Sequence, residues 1–138
     1  MTEETEIDIT VRTKAHRTEP REKVEEAVRN LFPDAEFEDE TLGNDEDRDE
    51  DIELVARAGE ESIEHLRELV DRQEINETAR EQFLDAVLGD TLAFRLSKQP
   101  ATVGRVNFDV GGHELGALHV RVETDDPEAF VDRVTQPW

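Results

Sequence analysis

The chain contains no cysteine and no tyrosine, and only three of its sixteen basic residues are lysine. Without cysteine there are no disulfides, thiol nucleophiles or thiolate metal sites. Aromatic residues make up only 5% of the chain. That leaves no visible stacking platform of the kind on which RNA-recognition motifs lay bases. No apolar run approaches the roughly 20 residues that a membrane-crossing helix needs. The opening segment "MTEETEIDIT" is acidic and polar, unlike a secretory signal. The expectation is a cytoplasmic protein with no membrane contact.

What the chain has in excess is carboxylate. It carries 37 acids against 16 bases, a formal net charge of -21 over 138 residues. Hydrophobic content is 35%. Such a balance can signal disorder, but the apolar residues here are strongly periodic, which argues for a folded chain with an acidic surface. The length suits a single domain over residues 1–138. A surface rich in carboxylate and poor in lysine suits a cytoplasm of molar salt. There the Debye length falls to about 3 Å and repulsion among surface acids is screened. The composition therefore predicts a halophile.

The periodicity predicts the elements in order. "EIDITVRTKAH" alternates as a half-buried strand, with Ile7, Ile9, Val11 and Ala15 inward. "TEPREKVEEAVRNLF" is a helix, with Thr18 as cap and Pro20 in the first turn. Residues 35–42 and "DIELVARAG", residues 51–59 with Gly59 as its end, form two strands around the acidic loop "GNDEDRDED". Two helices follow, the second with Asn76 as cap and Gly89 as stop. Strands at 92–98, 104–110 and 117–123 come next. A last helix is capped by Asp126, with Pro127 in its first turn. The order β-α-β-β-α-α-β-β-β-α predicts an α+β fold, a mostly antiparallel sheet with helices packed on one face.

The outward strand positions carry the functional signal. Two windows are free of acids, Ile9–Thr18 and Thr91–Phe108, and together they hold six of the sixteen bases. Alternation sends Arg12, Lys14 and His16 of the first strand outward. Arg95, Arg105 with Asn107, and His119 with Arg121 share that face on later strands. A basic sheet face is a platform for nucleic-acid phosphates. The competing readings are a solvated face whose bases pair with Asp8, Glu53 or Glu123, and a homodimer interface. Counterion release yields little affinity in molar salt. Arginine hydrogen bonding, stacking and shape must carry recognition there.

The motifs that could carry chemistry are incomplete. Asp45, Asp47, Asp49 and Asp51 alternate like the start of a calcium loop. Glu50 and Ala56 then stand where that loop requires Gly and Glu. "GGHELG", residues 111–116, has no second histidine at helical spacing and reads as a turn. His65 reads as surface. Ser97 lacks an ordered base. The chain is read as a non-enzyme with no catalytic residue, metal or cofactor. A pocket formed by Lys98, His113 and His119 would reopen the enzymatic reading.

"FRLSKQPATVGRVNF" followed by "ELGALHVRV" resembles the most characteristic segment of a small archaeal family. Its members are described as predicted RNA-binding proteins and sometimes as predicted exosome subunits. Phe94, Leu96, Lys98, Gln99, Ala101, Gly104, Val106, Asn107 and Phe108 match its pattern, as do Leu115 and Gly116. "INETARE" is similar to a further family segment. Pro100 and Arg105 depart from the pattern, which has Ala and Lys there. The resemblance covers nearly the whole chain and, with the composition, implies a haloarchaeal member. It also implies a fold like that of the large-subunit ribosomal protein that binds five-S RNA, the L-five-like fold.

These readings converge on an RNA-binding domain. The expected contacts are Arg12, Lys14, Arg95, Lys98, Arg105 and Arg121 on phosphates, with Gln99 and Asn107 as neutral hydrogen-bonding groups. RNA is the expected partner, together with proteins of an RNA-processing complex. The alternative is a protein-interaction module or homodimeric accessory subunit without direct RNA contact.

Overall fold

A computed structural model describes residues 7–15, 19–38, 52–108 and 117–136. The elements are β1 (Ile7–Ala15), α1 (Arg21–Leu31), β2 (Glu36–Phe37), β3 (Ile52–Ala58), α2 (Glu60–Arg72), α3 (Asn76–Asp85), β4 (Val87–Leu88), β5 (Thr91–Ser97), α4 (Lys98–Ala101), β6 (Ala117–Thr124) and α5 (Pro127–Thr135). The six strands form one sheet in the order β2-β3-β1-β6-β5-β4. Each pairing is antiparallel. The α+β architecture expected from periodicity is present.

Alternation within the strands sorts the two faces. Ile9, Val11, Leu92, Phe94, Leu96, Leu118, Val120 and Val122 are buried together with Val28, Leu31, Ile63, Leu66, Val70 and Val131 from the helices. The Phe83 ring sits at the centre of an aromatic cluster. Its centroid lies 4.9 Å from that of Phe94, 5.3 Å from Phe108 and 6.0 Å from Phe130, in edge-to-face packing. Such pairs add about 0.5–1.5 kcal/mol each beyond their buried area. The opposite sheet face has no helix against it among the described residues.

Several ends differ from expectation. Thr18 lies outside the described residues, and Pro20 stands at the cap of α1, one residue before the first turn. Asn76 is the first residue of α3. Its amide donates to the Thr135 carbonyl at 3.0 Å, which ties α3 to α5 and is not a cap bond. Asp126 does cap α5, accepting from the Ala129 N–H at 3.1 Å, and Pro127 opens that helix. Gly59 stands at the cap of α2 without a side chain, so Asp34 supplies the carboxylate. It accepts from the Gly59 N–H at 3.1 Å and from the Ser62 hydroxyl.

Helix α3 is shorter than periodicity suggested. It stops at Asp85, and Val87–Leu88 turns back to pair with Leu92 and Thr91. Gly89 takes φ +63° in that two-residue hairpin turn. Helix stops and hairpin turns both favour positive φ, so the glycine alone does not separate them.

Of the expected strand at 104–110, residues 104–108 are described, and they hold irregular backbone over 105–107 and a single bridge, Leu96 to Phe108. The reason lies upstream. Arg105 N–H bonds the Pro100 carbonyl and Gly104 N–H bonds the Ala101 carbonyl, both at 3.0 Å, with Gly104 at φ +75°. This is a Schellman closure of the α4 turn. Downstream, the Gln73 side chain takes both backbone groups of Val106. Its amide donates to the Val106 carbonyl at 2.9 Å and its oxygen accepts the Val106 N–H at 2.8 Å. A side chain fills the place of a neighbouring strand. Pro100 falls in the first turn of α4, where its missing N–H has no intrahelical role. The acidic loop, the remainder of the strand to Leu42, the 111–116 turn, Val110 and His16 lie outside the described residues.

Candidate nucleic-acid interface

The open sheet face collects basic residues from four strands. Arg12 of β1 lies opposite His119 of β6, and His119 lies opposite Arg95 of β5. These three form one transverse row. The adjacent row is Arg57, Thr10, Arg121 and Ala93. Neighbouring strands lie about 4.8 Å apart, so the Arg12 and Arg95 backbones are separated by roughly 10 Å. Residues Thr10, Arg12, Arg95, His119 and Arg121 line a shallow depression of about 430 Å³.

Carboxylates stand at the margins of this face. Arg12 meets Glu53 at 3.4 Å, Arg57 meets Glu38 at 3.2 Å and Arg121 meets Glu123 at 4.0 Å. Both members of the Arg12 and Arg121 pairs are more than half exposed. Exposed pairs of this kind contribute about 0–1 kcal/mol, so a phosphate can displace the carboxylate at little cost. Arg95 makes no ion pair among the described residues. Asp8 and Glu123 face each other at one end of the sheet and bound the basic area on that side.

The structure divides the expected contact residues into three groups. Arg12, Lys14, Arg95 and Arg121 are exposed together on the open face. Lys98 is not on it. Its side chain is only 7% exposed, and its ammonium donates to the Lys14 carbonyl at 2.8 Å and to Glu19 Oε1 at 2.9 Å. The expectation that Lys98 contacts phosphate is corrected accordingly. Lys98 shares the parity of the inward Leu92, Phe94 and Leu96, and it keeps that inward direction as the chain turns into α4. Gln99 is exposed on that same short helix.

Arg105 and Asn107 form a third group, because the backbone over 105–107 is irregular. They line a separate groove of about 580 Å³ with Gln73, Thr78, Gln82 and Phe108, beside α3. Lys98 and His119 are likewise kept apart, one buried and one on the open face, and His113 is outside the described residues. No group of three metal-ligating side chains occurs among the described residues. His65 is half-buried and its Nε2 bonds the Asn30 carbonyl at 2.8 Å, joining α2 to α1. It is more than surface.

Arg57 was missed as a member of the basic face. The alternation of Leu54 and Ala56 inward already placed it there.

An antiparallel α+β domain with helices on one face and a basic open sheet on the other is an architecture suited to binding. A family model described as RNA binding matches residues 8–124. The chain is 34% identical over 125 residues to a UPF0201 protein of Thermococcus kodakarensis, covering 90% of this chain and 86% of that one. The chain belongs to the UPF0201 family, an archaeal family matched by this RNA-binding model. It is also 41% identical over 102 residues to a UPF0200/UPF0201 protein of Archaeoglobus fulgidus, covering 74% of this chain and 28% of that protein's length. It spans 66% of the length of the UPF0201 protein of Methanocaldococcus jannaschii. A crystal structure of an uncharacterized UPF0201 protein superposes with a TM-score of 0.77 at 34% identity, covering 93% of this chain and 92% of that one. The structure of the Methanococcus jannaschii UPF0201 protein gives 0.76 at 28% identity, with 93% and 98% covered.

Proposed function

We propose that this protein binds RNA on the open face of its sheet, with Arg12, Arg95 and Arg121 on phosphates and His119 between them. The observation that carries the reading is the registered row Arg12–His119–Arg95 in a chain of net charge -21. The family model described as RNA binding supports it. The reading is of a binding component without catalysis, acting beside other proteins in RNA handling. The L-five-like resemblance noted from the sequence is part of this reading. The carboxylate-rich, lysine-poor composition fits work in molar salt inside a halophilic cell. Arginine suits that setting because its planar fork holds phosphate by two directed hydrogen bonds, which do not depend on counterion release.

The test is fluorescence anisotropy of a labelled single-stranded RNA in molar potassium chloride. The triple variant Arg12→Glu, Arg95→Glu, Arg121→Glu should weaken binding at least tenfold with an unchanged circular dichroism spectrum. Equal binding by parent and variant overturns the reading, as does absence of binding by the parent.

A further inference from the structure

Among the described residues no carboxylate lines the groove beside α3, in a chain where more than one residue in four is acidic. Its lining combines three kinds of group. Ile75, Pro100 and the half-buried Phe108 ring make an apolar wall. Thr78, Gln82 and Asn107 bring neutral donors and acceptors, and Arg105 brings one cation. A flat apolar wall, neutral hydrogen-bonding groups and a single guanidinium match a nucleotide. The base edge needs donors and acceptors, its face needs apolar contact, and its phosphate needs one positive charge. A cationic ligand finds no counter-charge among the described lining residues.

The groove is also held in shape before any ligand enters. The Gln73 amide grips Val106 from the α2 end with two hydrogen bonds. The Ser97 N–H bonds the Asn107 carbonyl at 2.7 Å from the β5 side. The Phe108 ring packs against Phe83 at 5.3 Å. A preorganised wall loses little freedom on binding, which favours affinity for a small occupant.

Its position relates it to the basic face. The row from Arg12 through His119 to Arg95 runs across the sheet toward the edge of β5. Residues 107 and 108 lie along that same edge, one strand spacing further on. We infer that the groove lined by Thr78, Gln82, Arg105, Asn107 and Phe108 takes one unstacked nucleotide of a single RNA strand, base against Phe108 and phosphate on Arg105, where the strand leaves the basic face at the edge of β5. This rests on the RNA-binding reading above and adds a base-contacting site to it.

The test is titration of the ¹⁵N-labelled protein in molar potassium chloride with the four nucleoside 5′-monophosphates and, separately, with inorganic phosphate. The groove should respond to at least one monophosphate. Amide shifts are expected at Thr78, Gln82 and Asn107, lost in Arg105→Ala and in Gln82→Ala, and retained in the triple Arg→Glu variant of the open face. Neither side chain makes a hydrogen bond among the described residues, and an unchanged circular dichroism spectrum checks that each variant is folded. Absence of groove shifts with all four monophosphates overturns the inference, even if RNA still binds the sheet. Equal shifts from inorganic phosphate also overturn it, since the site would then hold an anion and no base. Groove shifts in a protein that fails to bind single-stranded RNA would support a nucleotide site while overturning the RNA-binding reading.

Discussion

Lys98 and Glu19 form an ion pair at 2.9 Å with the lysine side chain almost entirely buried. The same ammonium bonds the Lys14 carbonyl at 2.8 Å. One cation thus joins the end of β1, the approach to α1 and the start of α4. It sits beneath the basic face as its support, since it holds the backbone of Lys14, whose own side chain is exposed.

Removing that cation should act on stability first. Lys98→Ala removes one partner of the Glu19 carboxylate and the ammonium from which the Lys14 carbonyl accepts. Glu19 is about a third exposed and water can reach it, so the loss is expected near 2 kcal/mol, below the 3–5 kcal/mol of a fully buried pair. Urea unfolding measures it. RNA affinity of the folded variant should change less than twofold. A large loss of affinity with intact stability would return Lys98 to the contact set.

Gln73 makes a separate prediction about the irregular segment. Val106 is only 4% exposed, and both its backbone groups depend on the Gln73 amide. Gln73→Leu strands a buried donor and acceptor together, at a cost of about 2–3 kcal/mol. Gln73→Glu retains the acceptor for the Val106 N–H and loses the donor, so it should fall between parent and Gln73→Leu. Chemical denaturation ranks the three. Amide exchange at Val106 should accelerate in the same order.

Glu60 and Arg133 set a pH dependence. Arg133 Nη2 lies 2.6 Å from Glu60 Oε2 and 2.9 Å from Glu64 Oε2, joining α5 to α2. The hydrogen bond from Arg133 holds the Glu60 carboxyl below its ordinary value, and the carboxylates hold the Arg133 guanidinium above its own. A lowered acid stabilises the fold fully above the unfolded carboxylate value, and that contribution is lost as pH falls through the lower folded value. The stability difference between parent and Glu60→Gln should therefore be present at pH 7 and vanish at pH 2. Urea unfolding at the two pH values checks it, and an equal difference at both refutes the assignment. Because Glu60 is largely exposed, molar salt should shrink the difference at pH 7.

The fold was legible wherever side chains repeat with a period. β1, β5 and β6 alternate in burial as Ile9, Val11, Leu92, Phe94, Val120 and Val122 imply, and Asp126–Pro127 opens α5 as written. Legibility failed where one residue type serves two geometries. Gly89 suits a helix stop and a hairpin alike. "VGRVNF" alternates like a strand, yet Val106 obtains its strand-like bonds from a glutamine side chain 33 residues earlier in the chain. Local pattern carries no information about such a partner.

The chain's own sequence determined the acidic excess, the strand faces and the identity of the bases exposed on them, because charge and alternation are local properties. Only tertiary structure decided how those bases are grouped. Antiparallel register set Arg12, His119 and Arg95 in one row. Packing of β1, α1 and α4 gave the inward Lys98 its partner Glu19, and the Schellman closure at Gly104 carried Arg105 and Asn107 into a separate groove. Register and chain reversal depend on contacts between distant segments, and those contacts exist only once the core has formed.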